Sequence, residues 1–254
     1  NSLTFGPDLL INNSPGSSDI FVAKYDTDGI VEWAYSTGGS GDDDINAIDT
    51  DNLGNVYVAG FFKSLAITFG STTLTNAGSP FGDFFLTKFN DEGAISWVQT
   101  SSGSQSSDGI RSVFADQSGS IHTTGHFQSP SINIGQFSMA NSSSPDQKTY
   151  VASYDSTGVV QWVKSIENTN NDVGNSIAVM GPQSVYVVGQ FSSALNVFGA
   201  TTLANTSTGQ YDLFIAKIDG ALAIEELAES SFHIYPNPIS LSTNKQSFPE
   251  QGAE

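Results

Sequence analysis

The chain has no cysteine, and its 254 residues include only three histidines and eight basic residues against 26 acidic ones. The lack of cysteine excludes a disulfide framework and thiolate chemistry. The formal net charge of −18 repels phosphate backbones, so we expect no nucleic-acid partner. Neutral glycans, polar protein surfaces and cations are the favoured partners. No apolar run approaches the roughly 18 residues of a membrane helix.

The usual catalytic motifs are also missing. The chain has no Gly-x-Ser-x-Gly nucleophile elbow and no phosphate-binding loop,. Carboxylates are plentiful, which leaves a glycosidase pair open, but they fall mostly in turns and at repeated positions. We therefore predict that the protein is not an enzyme, and keep a glycan-active hydrolase or lyase as the alternative.

What the chain does have is internal repetition. Its three tryptophans, Trp33, Trp97 and Trp162, are 64 and 65 residues apart. Each follows an apolar run and a four-residue turn that ends in glycine, as in residues 83–89 and 90–93. Glycine supplies the positive φ that tight hairpins need. A long period built from short strand-like runs is typical of repeat architectures.

Each period also carries a second hairpin, such as residues 45–48 with 56–62. Within it, Gly60, Gly125 and Gly189 mark a strand position where we expect a neighbouring backbone to approach closely. Runs that are apolar on both faces, such as residues 56–59, fit sheets that are covered on both sides. We predict an all-β protein, a β-propeller of four-stranded blades of about 64 residues. A β-solenoid is the second choice.

The repeats occupy residues 1–220 and amount to about three and a half blades, whereas propellers close with about 4–8. We therefore expect an open arc or part of a larger ring. Unpaired edges at its two ends would be adhesive. This predicts either self-association or further upstream blades that complete the ring.

The pattern D-x-F-[VLI]-[AT]-K-[YF]-[DN]-x-x-G-x-x-x-W, followed by D-x-x-G-N-V-Y-[VT]-x-G-x-F, resembles the SBBP-type bacterial β-propeller repeat. The resemblance covers roughly residues 3–219, with Lys148 and Ser153 replacing the usual Asp and Lys in the third unit. Diverse surface and secreted proteins carry this repeat, so the resemblance implies a fold and an exported location rather than one activity.

Residues 221–254 form a linker and a short tail after the last repeat. There the motif Ile234-Tyr235-Pro236-Asn237-Pro238 resembles the opening of the C-terminal sorting domain of type IX secretion cargo. The resemblance implies the type IX secretion machinery as a partner. It also implies a protein that is secreted or displayed on the outer-membrane surface of a Gram-negative bacterium. A proline-rich tail without that role is the alternative.

Three aspartates recur once per unit, just before the first strand of the second hairpin: Asp43, Asp108 and Asp172. They are our candidate ligand-binding residues, as an acidic rim for cations or sugar hydroxyls. The other interpretation is that they cap turns by accepting backbone N–H groups.

Asp26 and Asp28 are candidate ligands for a Ca²⁺ ion, and we expect no other cofactor. His122 and His126 are too far apart along one strand, about 13 Å, to share a metal ion by themselves, so we assign them structural roles.

These features together predict a non-enzymatic secreted or cell-surface β-propeller that acts in binding or adhesion. Its loops would hold a glycan, protein or matrix ligand, since rigid scaffolds present function on loops. Besides the glycan-active enzyme, a structural spacer within a large surface adhesin remains an alternative.

Overall fold

The structure is a computed structural model of the chain. It describes residues 2–12, 14–76, 80–103, 106–166, 170–181, 184–198, 201–205, 210–219 and 232–234. These residues form β-strands, turns and loops with no helix, which confirms the all-β prediction. No segment of this part of the chain is a helix that could span a membrane.

The strands, in chain order, are β1 (Ser2–Phe5), β2 (Asp8–Ile11), β3 (Ile20–Tyr25), β4 (Val31–Thr37), β5 (Asp43–Thr50), β6 (Val56–Phe62), β7 (Ala66–Phe69), β8 (Thr72–Thr75), β9 (Asp83–Phe89), β10 (Ile95–Gly103), β11 (Asp108–Ala115), β12 (Ile121–Phe127), β13 (Ser131–Ile134), β14 (Phe137–Ala140), β15 (Lys148–Tyr154), β16 (Val160–Ser165), β17 (Asp172–Met180), β18 (Ser184–Phe191), β19 (Leu195–Phe198), β20 (Thr201–Ala204), β21 (Asp212–Asp219) and β22 (Phe232–Ile234).

Three antiparallel meanders of four strands carry the fold: β5-β6-β9-β10, β11-β12-β15-β16 and β17-β18-β21-β22. Each joins the second hairpin of one sequence period to the apolar strand and its neighbour in the next period. The first meander continues through β10 into β13 and β14. Strands β3 and β4 form a separate two-stranded sheet. The described sheets do not close on themselves.

A short extra hairpin follows the second strand of each meander: β7-β8, β13-β14 and β19-β20, with β1-β2 as the counterpart near the start. The structure therefore has six strands per period, where the sequence pattern predicts four. In β7, Ile67 and Phe69 are buried and alternate with exposed residues. Gly70, at φ 59°, begins the two-residue turn. Four-residue strands are too short for alternation to stand out in the sequence.

Successive periods contact each other through a tryptophan side chain that packs on a turn glycine of the next period. The Trp97 indole covers Gly158, where an added Cβ would lie 2.8 Å from Trp97 Cδ2. Its Nε1 donates to the carbonyl of Ser156 at 3.1 Å. Trp33 does the same over Gly93, so these two tryptophans have equivalent surroundings, as the period predicts. The turn that corresponds for Trp162 lies outside the described residues.

Apolar side chains fill the space between the sheets. Phe84 of β9 and Tyr150 of β15 are fully buried and stack with ring centroids 5.9 Å apart. They belong to one core that joins the first and second meanders, and a further core lies on each side of it. Burial on both faces explains why the strand runs in the sequence are apolar without alternation.

The three strand glycines permit a repeated β-bulge. A Cβ on Gly60 or Gly125 would lie 2.0 Å from the carbonyl oxygen of Asp44 or Gly109, and one on Gly189 2.2 Å from that of Val173. This confirms the expected close backbone approach. Opposite each glycine the pairing slips by one residue. The extra, unpaired residues are Asn46, Arg111 and Asn175.

The tail after residue 220 is described only at Phe232–Ile234, which pairs with Ala216–Ile218 as the fourth strand of the last meander. The backbone of Ile234, the first residue of the candidate sorting motif, thus joins the sheet. The remaining motif residues, Tyr235, Pro236, Asn237 and Pro238, lie outside the described residues.

Candidate functional site

The recurring aspartates are buried under the turns that follow the second strand of each meander. Asp43, Asp108 and Asp172 are at most 1% exposed. Asp108 accepts the N–H groups of Gln128 at 3.0 Å and Ser129 at 3.2 Å, and the Ser129 hydroxyl at 2.8 Å. Asp43 and Asp172 make the same set of bonds to their own following loops. The geometry is that of the capping interpretation, because the carboxylates face protein donors.

Burial also governs the protonation of these carboxyls. It raises the pKa of Asp108 and of Asp172 to about 6 each, against the hydrogen bonds from their serines, which lower it. The pKa of Asp43 is raised for the same reason. An acidic rim open to ligand would need exposed carboxylates, so the binding interpretation of these three residues receives no support from their position.

The candidate calcium ligands form part of a hairpin turn. One oxygen of Asp26 accepts the N–H groups of Asp28 at 2.9 Å and Ile30 at 2.8 Å. The turns at Asp51, Asp116 and Asp155 repeat this pattern. Across the described ranges, no three His, Asp or Glu side chains come close enough to hold a metal ion.

A cleft of about 430 Å³ opens where the first strands of the three meanders, β5, β11 and β17, come together. Its volume lies within the 300–1,000 Å³ typical of small-molecule sites. The side chains that give it its character are Asn46, Phe61, Lys63, Arg111, His126 and Asn175.

The β-bulges supply three of these side chains. The unpaired residues Asn46, Arg111 and Asn175 occupy the same bulge position in three successive periods, and all three line the cleft. A bulge redirects a side chain out of the regular alternation of its strand. Three residues about 65 positions apart in sequence are thereby brought to one site.

The middle period contributes a feature that its neighbours lack. Arg111 Nε donates to His126 Nδ1 at 3.4 Å. Burial, and then the guanidinium charge, lowers the pKa of His126 to about 4. The imidazole is therefore neutral at physiological pH and accepts from the arginine. Nearby, the Lys63 ammonium lies 5.6 Å from the centre of the Phe61 ring.

The sequence pattern predicts a structural role for His126 and does not single out Arg111, Lys63, Asn46 or Asn175. The sequence does contain one signal for Arg111, which is the sole arginine of the chain and stands where the other periods have asparagine. The bulge itself could not be read, because it depends on the register between two strands.

No protein family model matches the chain. In an alignment of 201 positions that covers 70% of the chain, the chain is 24% identical to an uncharacterized WD repeat-containing protein of Acanthamoeba polyphaga mimivirus. The matched stretch is 14% of that longer protein. The all-β structure, its recurring sheets and this similarity are those of a β-propeller-like repeat protein.

Proposed function

We propose that the chain is a non-enzymatic binding module of β-propeller type, in which each meander is one blade and the ligand occupies the cleft beside the innermost strands. The observation that carries this proposal is the convergence of Asn46, Arg111 and Asn175 from three blades on one cleft. Ligand sites favour concave surfaces with a few convergent polar groups.

The lining favours binding over hydrolysis. Among the described residues, Asp108 is the only carboxylic residue that lines the cleft, and both its oxygens already accept hydrogen bonds from the following loop. Glycoside hydrolysis normally uses two carboxylic groups that flank the bond to be cleaved. The glycan-active enzyme therefore remains the weaker alternative, and release of reducing ends from a polysaccharide would establish it.

An array of glycans and matrix proteins tests the binding function. The informative variant is Asn175→Ala, because this side chain is exposed in the cleft. Asn52→Ala is the matched control, since Asn52 is also exposed but lies in the turn that joins β5 and β6. We expect Asn175→Ala to weaken binding about tenfold and Asn52→Ala to leave it unchanged. Absence of any bound ligand would favour the structural spacer.

The location follows from the two sequence resemblances. We place the protein outside the cell or on the outer-membrane surface, with residues 234–238 read by the type IX secretion machinery. In a bacterium that has this machinery, the protein should be accessible to added protease on intact cells. A Pro236→Ala/Pro238→Ala variant should remain protected, and equal accessibility of the two proteins would refute this role for the motif.

The sheet formed by β3 and β4 has an unpaired edge at β3 among the described strands. Strand β3 pairs only with β4 among the described strands, whereas its counterpart β9 also pairs with β6. An added Cβ on Gly29 would meet nothing within 4 Å, whereas Gly93 and Gly158 are covered by tryptophan. Apolar side chains around this edge are exposed: Leu3, Leu9, Ile11, Phe21 and Tyr25.

We propose that a further hairpin of the same repeat, equivalent to residues 43–62, completes this sheet. The period places such a hairpin directly before β1, so a copy of residues 43–64 can be fused ahead of residue 1. The fusion should raise the thermal midpoint and reduce self-association measured by light scattering. An unchanged midpoint and unchanged association would refute the proposal.

A further inference from the structure

The cleft gathers positive charge in a strongly acidic protein. Arg111 and Lys63 both line it, although the chain has only eight basic residues against 26 acidic ones. Neither side chain has an ion-pair partner in the described part of the chain. Of the described residues that line the cleft, one is a carboxylic acid, Asp108, and it is 1% exposed and bonded to its own loop. The open face of the cleft is therefore cationic.

The arginine is held in place by its neighbour. Because Arg111 Nε donates to the neutral His126 ring, the two terminal amino groups of the guanidinium remain for a ligand. These groups can bind the two oxygens of a carboxylate in parallel, a geometry in which arginine excels. Lys63 supplies a second, less directional positive charge.

The rest of the lining suits a sugar ring. Asn46 and Asn175 offer carboxamides, which both donate to and accept from hydroxyl groups,. Asn46 Nδ2 already donates to the carbonyl of Ile110 at 2.8 Å, which leaves its Oδ1 and one N–H for a ligand. Phe61 offers an apolar wall against which the C–H face of a sugar can pack. The volume of about 430 Å³ accommodates one or two sugar units. An acidic peptide would also use the cations, and its backbone amides can pair with the two carboxamides, so the test includes a peptide probe.

We propose that the cleft recognises an acidic sugar, with its carboxylate on Arg111 and Lys63 and its hydroxyls on Asn46 and Asn175. This inference rests on the binding function proposed above and specifies its ligand class. The overall charge of −18 does not oppose it strongly, because charges are screened beyond about 8 Å at physiological ionic strength.

Calorimetric titration with digalacturonate and with its methyl ester tests the ligand class. The ester keeps the hydroxyls and removes the charge. We expect the acid to bind at least tenfold more tightly than the ester. Arg111→Gln should weaken binding of the acid at least tenfold and leave the ester little changed. Arg111→Lys keeps the positive charge but lacks the two parallel donors of the guanidinium. Its affinity for the acid should therefore lie between those of the unmodified chain and of Arg111→Gln.

Controls separate this inference from the binding function. Asn175→Ala should weaken both probes, and Lys88→Gln, a charge change outside the cleft lining, should weaken neither. If the array ligand binds in an Asn175-dependent way while acid and ester bind equally, the acidic-sugar inference is wrong and the binding function stands. Arg111-dependent binding of an oligoglutamate peptide with no binding of digalacturonate would also overturn it.

Discussion

The Trp97 indole lies directly on Gly158, the last residue of a hairpin turn in the next repeat, and donates to the carbonyl of Ser156 two residues earlier. One side chain thus covers the turn and satisfies one of its backbone acceptors. Since Trp33 repeats the contact on Gly93, this contact is a structural reason for the 64-residue period.

Gly158→Ala should destabilise the fold more than Gly29→Ala. Both glycines have positive φ, 86° and 78°, and alanine in that region costs about 1–3 kcal/mol. Only at Gly158 would the new Cβ also meet an indole, at 2.8 Å, which adds about 1–3 kcal/mol for overpacking. Urea unfolding at equilibrium measures the difference, and equal losses at the two positions would contradict the tryptophan contact.

Gly125→Ala should disrupt the bulge that presents Arg111. Its Cβ would lie 2.0 Å from the carbonyl oxygen of Gly109, so the strands must separate, at a cost of about 3 kcal/mol. Gly109→Ala is the matched control on the facing strand, since its Cβ would lie 3.5 Å from His126, an ordinary contact. Urea midpoints measure both. Similar midpoints for the two variants would show that the bulge does not depend on this glycine.

The fold was largely predictable because its signals recur. Three tryptophans and the turn glycines that precede them occupy matching places, and the strand runs are strongly apolar, so periodicity and burial agree. The cleft was not predictable for two physical reasons. Its asparagines and arginine reach one site only through a register slip between paired strands. The recurring aspartates are polar residues at a repeated position, which suggested a binding site. Their hydrogen bonds to the loops that follow account for the recurrence.

The protonated carboxyls of Asp108 and Asp172 should stabilise the fold more at pH 5 than at pH 7.5, while the lowered pKa of His122 and of His126 acts in the opposite direction,. The pKa of Asp108 and of Asp172 is raised from an ordinary 3.8 to about 6. The folded state therefore binds these protons more tightly than the unfolded state, and the resulting stability is lost as pH rises through about 6.

Acidification below about pH 4 should destabilise the fold. Burial acts to raise the pKa of Asp51, Asp116 and Asp155, but hydrogen bonds from their turns outweigh it, so each pKa is lowered. The stability that these carboxylates contribute is present above their unfolded pKa and is lost as they are protonated. Thermal midpoints should therefore fall as the pH is lowered from about 4 to 3.

Asparagine variants separate the contribution of the two buried carboxyls from that of the histidines. Asp108→Asn/Asp172→Asn resembles the protonated acids and cannot ionise, so its midpoint at pH 5 relative to pH 7.5 should be lower than that of the unmodified chain. Asp28→Asn, at an exposed turn position, should retain the full dependence. A pH profile unaffected by the double substitution would assign the effect to other groups.

The most direct test of the shared cleft uses the absence of native cysteine. Single Asn46→Cys, Asn175→Cys and Asn52→Cys variants can be alkylated with and without the tightest ligand from the array. We predict that the ligand slows alkylation severalfold at positions 46 and 175, which are 129 residues apart, and leaves position 52 unaffected. Protection at only one of the two cleft positions, or equal protection at all three, would contradict a single site built from successive repeats.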